Sequence, residues 1–117
     1  MIPQYTKRKE EMENITTGTE YETGRIIDGK KEYGKRINCG KLPDTSTTTI
    51  NTDLGNVNIL DYKGIAILNR YSYKMVAGKI SNYSISLAIE NGQIKITTYL
   101  SVYKEYTAYV ELFYTKN

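Results

Sequence analysis

From Glu20 onward, apolar and polar residues alternate along most segments, which is the pattern of β-strands with one face in water. The alternation is cleanest in NYSISLAIE, where Tyr83, Ile85, Leu87 and Ile89 fall on one face. No segment of this region has the 3.6-residue period of an amphipathic helix. We therefore predict about eight strands, at residues 20–28, 31–39, 45–51, 56–69, 70–77, 82–90, 93–99 and 105–114.

Two dipeptides, Asp28-Gly29 and Asn91-Gly92, separate alternating segments and predict tight turns. Asp-Gly and Asn-Gly favour the type I′ turn, in which both residues adopt a positive φ and close a two-residue hairpin. Many short strands joined by such turns are typical of sandwiches and barrels. The fold we predict is all-β, an antiparallel, jelly-roll-like β-sandwich.

Three other residues interrupt the strand pattern. Gly40 and Pro43 do not suit a central strand, so we expect the second strand to end before them. Gly64 lies within the longest apolar stretch and is expected to mark a bulge or a close backbone contact.

The first 18 residues differ from the rest because they are polar and lack a strong period. We interpret residues 1–18 as a flexible arm that becomes ordered only against a partner, and residues 19–117 as the β-sandwich domain. No apolar run approaches the roughly 18 residues of a membrane span, and Met1 does not open a signal sequence. We therefore expect a soluble protein with no membrane partner and no secretion route.

The chain has no histidine and one cysteine, Cys39. A Ser-His-Asp triad and the ordinary zinc sites are thereby excluded, and no glycine-rich phosphate loop is present. Cys39 has no histidine base to activate it, so we interpret it as a small buried hydrophobic residue. The carboxylates are scattered, and we expect no enzymatic activity, no cofactor and no metal.

The net charge is +3, and residues 25–41 carry six basic side chains against two acidic ones. A basic ribbon can follow a phosphate backbone, so a nucleic-acid binder resembling an OB-fold remains an alternative. Lysines on an exposed strand more often block pairing between sheet edges, which makes nucleic acid an unfavoured partner.

Twelve tyrosines are unusual in a chain of 117 residues. Cross-strand packing is the simplest explanation. Tyrosine is also enriched at subunit interfaces, and its ring can form a stacking platform for sugars or bases.

The last predicted strand, residues 105–114, has large side chains on both faces. One face holds Tyr106, Ala108, Val110 and Leu112, and the other holds Tyr109, Phe113 and two glutamates. A small sandwich covers only one face of each strand, so a partner subunit would cover the other. The candidate subunit-interface residues are Tyr106, Tyr109, Phe113 and Tyr114.

Several short motifs resemble a small all-β module that recurs in bacteriophage structural and fibre proteins. They are an Ile-Asp-Gly-Lys hairpin at residues 27–30, Tyr33, Lys35, a Gly-x-Leu-Pro turn at residues 40–43, a Thr-rich tail at residues 45–49, Tyr-Thr-Ala-Tyr-Val at residues 106–110 and Tyr-Thr-Lys at residues 114–116. The chain departs from that module at Ile26, where an aromatic residue is usual, and near Thr52, where a histidine is common. Residues 60–90 have no counterpart in it.

The resemblance implies a virion component made in the bacterial cytoplasm, either a fibre, a fibre tip or a decoration subunit. Together with the two-sided last strand and the surplus of tyrosines, the resemblance predicts a homotrimer. The N-terminal arm, which cannot fold alone, is expected to run along a neighbouring subunit or to attach to other virion proteins. A glycan on the host surface is a further candidate partner, and no catalytic residues follow from the resemblance. The alternative that remains open is a monomeric carbohydrate-binding module.

Overall fold

The structure, a computed structural model, describes residues 16–117 as an all-β unit. Its eight strands are β1 (Tyr21–Ile27), β2 (Lys30–Lys41), β3 (Thr47–Asn51), β4 (Val57–Leu68), β5 (Tyr71–Lys74), β6 (Ile85–Glu90), β7 (Gln93–Thr98) and β8 (Thr107–Lys116). A single 3-10 turn, Ser101–Tyr103, precedes β8. The predicted fold class and strand number are confirmed.

The strands form two antiparallel sheets, with the order β1-β2-β8-β4-β5 in the larger and β3-β7-β6 in the smaller. The segment after β5 joins the sheets at one edge. Met75 donates its N–H to the Gly64 carbonyl of β4 over 3.0 Å, while Val76 donates to the Ile85 carbonyl of β6 over 2.9 Å. Neighbouring residues of one segment therefore bond to different sheets.

Strand β8 lies at the centre of the larger sheet, where β2 and β4 flank it. Its inner face packs against the smaller sheet and supplies four side chains that are at most 1% exposed. These are Ala108, Val110, Leu112 and Tyr114. Ile94 and Ile96 of β7 are also fully buried, as their alternation predicts.

The predicted inward position of Tyr83 is wrong, because β6 begins only at Ile85 and Tyr83 is 74% exposed. A turn precedes this strand, in which Ser84 donates its N–H to the Ser81 carbonyl over 3.1 Å. The Ser84 side chain in turn accepts from the N–H of Ile80. Alternation in the sequence thus continues into a segment whose backbone is held in a turn.

Both predicted hairpin turns are confirmed. Asp28 and Gly29 have φ values of 49° and 81°, and Asn91 and Gly92 have φ values of 50° and 74°. Each pair is the complete connection between two strands, β1 to β2 and β6 to β7. Positive φ at both residues is what a type I′ turn requires.

The predicted end of the second strand before Gly40 is wrong, because β2 continues to Lys41. A bulge between Asn38 and Gly40 accommodates the extra residue. Gly40 adopts a φ of 75°, and its N–H donates to the Asn38 side-chain oxygen over 2.8 Å. Glycine therefore allows the strand to bend and continue.

Gly64 is a close-contact position, as predicted. A Cβ atom built on Gly64 would lie 2.5 Å from Sδ of Met75 and 2.8 Å from Cδ2 of Leu87. The bulge in β4 lies elsewhere, at Leu60, where the pairing with β8 shifts between Ile59 and Asp61. The missing side chain at Gly64 thus lets the smaller sheet and the Met75 segment approach β4.

Most of the predicted N-terminal arm, residues 1–15, lies outside the described residues. The described part already contacts the domain, because Gly18 donates its N–H to the Arg36 carbonyl of β2 over 2.7 Å. Ordered contacts therefore begin before the predicted domain boundary at residue 19.

Candidate functional site

The outer face of the larger sheet, which points away from the smaller sheet, has a buried carboxylate at its centre. Glu111 of β8 lies directly opposite Arg36 of β2 and Lys63 of β4. Each cation is 3.5 Å from one of its carboxylate oxygens. The Glu111 side chain is only 8% exposed, whereas those of Arg36 and Lys63 are 43% and 70% exposed. The carboxylate is thus enclosed while both cations reach toward solvent.

Tyr21 of β1 covers this carboxylate from the side. Its hydroxyl donates to Oε2 of Glu111 over 3.2 Å. The ring lies across Gly34, where any Cβ atom would overlap it, so the close approach depends on glycine. Burial, followed by the negative charge of Glu111, raises the pKa of Tyr21 to about 12. The phenol therefore remains a proton donor to Glu111 at neutral pH.

Two of the four predicted interface residues, Tyr109 and Phe113, are partly exposed on this outer face. Tyr109 pairs with Ile65 of β4, and the ring of Phe113 lies 5.7 Å from Nζ of Lys63. Ile67, two residues further along β4 and on the same face, is 37% exposed. A groove of about 740 Å³ runs beside these residues, along β4 and the segment that follows β5. The outer face thus combines apolar side chains with flanking charges.

The other two predicted interface residues, Tyr106 and Tyr114, are core residues, which corrects the prediction. Tyr114 is 0% exposed and stacks on Tyr33, with ring centroids 6.2 Å apart. Its hydroxyl donates to Oε1 of Glu20 over 2.7 Å. Tyr106 is buried against Tyr73. Neither ring is free to contact a second chain, because each already packs inside its own.

Five tyrosines from distant parts of the chain meet at one end of the sandwich, and we call this group the tyrosine cluster. The rings of Tyr73, Tyr103 and Tyr106 lie 5.6–5.8 Å apart, and the Tyr103 hydroxyl donates to the Tyr83 carbonyl. Tyr71, Tyr73 and Tyr83 are 58%, 45% and 74% exposed. Burial, followed by neighbouring tyrosines, raises the pKa of Tyr103 and Tyr106. The cluster presents three accessible rings on a buried aromatic base.

The basic ribbon of residues 25–41 is largely neutralised by ion pairs. Four of its six cations lie within 4 Å of a carboxylate. The pairs are Arg25 with Glu32, Lys31 with Glu22, Arg36 with Glu111 and Lys41 with Glu105.

Cys39 is half-buried at the bulge of β2. Burial raises the pKa of its thiol to about 11, so the protonated form prevails at neutral pH. A protonated thiol is a poor nucleophile. Within residues 16–117, no three Cys, Asp or Glu side chains are grouped to hold a metal ion. The same region has no helix long and apolar enough to cross a membrane.

Sequence reasoning did not identify Tyr21, Arg36 and Lys63 as neighbours of Glu111, because the contacts join four strands. Gly34 carried a usable signal, since glycine inside a strand often marks a close approach. Comparisons of the chain with protein-family models, with curated proteins and with solved structures found no match. Function must therefore be inferred from the geometry of the chain itself.

Proposed function

We propose that this chain is a self-associating structural subunit of a bacteriophage virion, forming a homotrimer in a fibre, fibre tip or decoration. The observation that carries the proposal is the partly exposed apolar side chains on the outer face of the larger sheet, Ile67, Tyr109 and Phe113. A sheet with large apolar side chains on both faces is normally covered on both. Further chains of the same sequence would supply that cover, and the resemblance to the phage module supplies the kind of assembly.

The composition of the outer face suits a subunit contact. The apolar side chains of Ile67, Tyr109 and Phe113 would form the dry part, and the exposed parts of Arg36 and Lys63, which flank Glu111, would form polar contacts among them. Glu111 is already paired with both cations, so covering this face would not leave an unpaired buried carboxylate. A three-fold axis would bring three such faces together in a closed assembly. The role is structural and requires no catalysis, cofactor or metal.

The first test is the mass of the protein in solution. Light scattering at micromolar concentration should give three times the chain mass of 13.4 kDa or a multiple of that value. Ile67→Glu should break the trimer contact and lower the mass threefold, because the partly exposed side chain would place an unpaired charge inside the contact. A monomeric wild-type protein at this concentration would contradict the proposal.

The matched control is Tyr83→Glu, which adds the same charge at an exposed position in the tyrosine cluster. This variant should retain the wild-type mass, and both variants should retain the wild-type far-ultraviolet circular dichroism. Equal loss of association in both would mean that the added charge acts nonspecifically.

The virion assignment has a separate test. Mass spectrometry of purified phage particles whose genome encodes this chain should detect the protein at a fixed ratio to the other structural proteins. Removal of residues 1–18 should leave the trimer intact and abolish incorporation, because we propose that this segment attaches to other virion proteins. Detection only in the lysate of infected cells, never in particles, would contradict the assignment.

A second candidate function, carbohydrate binding, is favoured by the tyrosine cluster. Exposed tyrosine rings can stack on sugars while their hydroxyls donate hydrogen bonds. Retention of the protein on immobilised host polysaccharide should be lost in Tyr73→Ala and kept in Tyr62→Ala, an exposed tyrosine outside the cluster. Binding that both variants retain equally would rule out the cluster as the site.

A further inference from the structure

The β3 strand is an edge of the smaller sheet, and among residues 16–117 it pairs only with β7. Just beyond the two ends of β3, Thr52 donates its N–H to the Gly92 carbonyl, and Ser46 accepts the N–H of Thr98 at its carbonyl. In an antiparallel pair the backbone groups of successive residues point alternately toward and away from the partner strand, so the even-numbered residues of β3 point toward β7. The backbone groups of Thr47, Thr49 and Asn51 consequently point away from the sheet. Within the described residues, these three N–H and three C=O groups have no partner.

The other edge strands carry features that discourage pairing with a further strand. β1 has charged side chains and a bulge between Glu22 and Ile26. β5 is only four residues long and ends at Lys74. Val76 bonds to Ile85 and Leu87, which covers part of the free edge of β6. Charge, short length, bulges and cover are the usual protections of sheet edges.

β3 is also short, with five residues, but it has no charge, no bulge and, within the described residues, no covering segment. Its sequence, TTTIN, contains no charge and no proline, and its register with β7 is unbroken. Threonine and isoleucine are β-branched and favour extended backbone. The side chains of Thr47, Thr49 and Asn51 are exposed. The edge is therefore uncharged, regular and open to a further strand.

We propose that β3 pairs with β3 of a second copy of this chain, antiparallel across a two-fold axis at Thr49. Thr47 would lie opposite Asn51 of the second copy, and about six backbone hydrogen bonds would form. No like charges would face each other, since Asp53 would lie opposite Thr45. The two smaller sheets would become one continuous sheet of six strands. This contact uses a different surface from the proposed trimer and does not depend on it.

The test is Thr49→Pro, which removes an outward N–H without breaking a bond to β7. Its matched control is Ser72→Pro on β5, another edge strand. The register of β5 with β4, together with the hydrogen bond from the Met75 N–H to the Gly64 carbonyl, shows that the N–H of Ser72 also points away from the sheet. Thr49→Pro should halve the mass measured by sedimentation, and Ser72→Pro should not change it. Amide hydrogen exchange at residues 47, 49 and 51 should be slow in the wild type. In Thr49→Pro, which has no N–H at residue 49, exchange at residues 47 and 51 should be fast.

A second variant keeps the test valid if proline disturbs the fold. Thr49→Lys would place two lysines opposite each other at the two-fold axis, and it should also halve the mass, less so at high salt. An unchanged mass in folded Thr49→Pro and Thr49→Lys would overturn the proposal. Slow exchange at residue 49 that persists in monomers would also overturn it, because a segment of the same chain would then cover the edge.

The two contacts can be separated by combining variants. If both exist, Thr49→Pro should leave trimers and Ile67→Glu should leave dimers. If Thr49→Pro leaves a wild-type trimer unchanged, only the β3 contact fails. If wild-type dimers become monomers in Thr49→Pro and are unaffected by Ile67→Glu, only the outer-face contact fails.

Discussion

Tyr114→Ala is expected to lower the free energy of unfolding by about 3–5 kcal/mol, the usual cost of removing a buried aromatic ring. The side chain is completely buried on the inner face of the central strand and stacks on Tyr33. Its loss would leave a cavity where β8 packs against the interior and would remove the hydroxyl bond to Glu20. Urea denaturation monitored by circular dichroism measures the change.

Tyr114→Phe measures the contribution of the hydroxyl separately from that of the ring. Phenylalanine keeps the packing and removes only the hydrogen bond to Glu20, so a loss of about 1 kcal/mol is expected. Glu20 would retain its 2.8 Å ion pair with Lys116. If Tyr114→Ala cost no more than Tyr114→Phe, the ring would not be part of the core.

Stability is expected to fall as the pH rises from about 10, the pKa of tyrosine in an unfolded chain. The pKa of Tyr21 in the folded protein is about 12. Burial also raises the pKa of Tyr114, and the hydrogen bond to Glu20 raises it further. Because the folded state resists losing these protons, the stabilisation is complete below pH 10 and is lost toward pH 12. Tyr21 alone should contribute about 2 kcal/mol, allowing for partial solvent screening.

Urea denaturation of the wild type and Tyr21→Phe, at neutral pH and at alkaline pH, measures this contribution. Phenylalanine has no proton to lose, so the variant should lose less stability than the wild type over the alkaline range. Ultraviolet absorbance of tyrosinate should show exposed tyrosines ionising before Tyr21. Parallel loss of stability in the two proteins would mean that the fold does not raise the pKa of Tyr21.

The strands and two of the hairpins could be predicted because their signals are local. Alternation marks the inner face of β8, and Asp28-Gly29 marks a turn between strands that are adjacent in sequence. The third hairpin, β4 to β5, was missed because Asn69-Arg70 lacks the glycine of the favoured pairs, although Asn69 adopts a φ of 54°.

The candidate site was only partly predictable, because it depends on register between distant strands. Glu111 meets Arg36 and Lys63 only when β8 enters between β2 and β4, and no local pattern specifies that order. The burial of Tyr114 did carry a local signal. It lies two residues after Leu112, so alternation alone places it on the same inner face.

The central position of β8 has a consequence for synthesis on the ribosome. β8 is made last of the eight strands, yet it forms the ladder on both sides, with β2 and with β4. Until residues 107–116 emerge, the facing edges of β2 and β4 have no partner and the larger sheet cannot close. Closure of the larger sheet must therefore wait for residues 107–116, and such long-range pairing is intrinsically slow. A chain that terminates before β8 would leave the edges of β2 and β4 exposed. These edges could pair with those of other incomplete chains, so premature release is a route to aggregation.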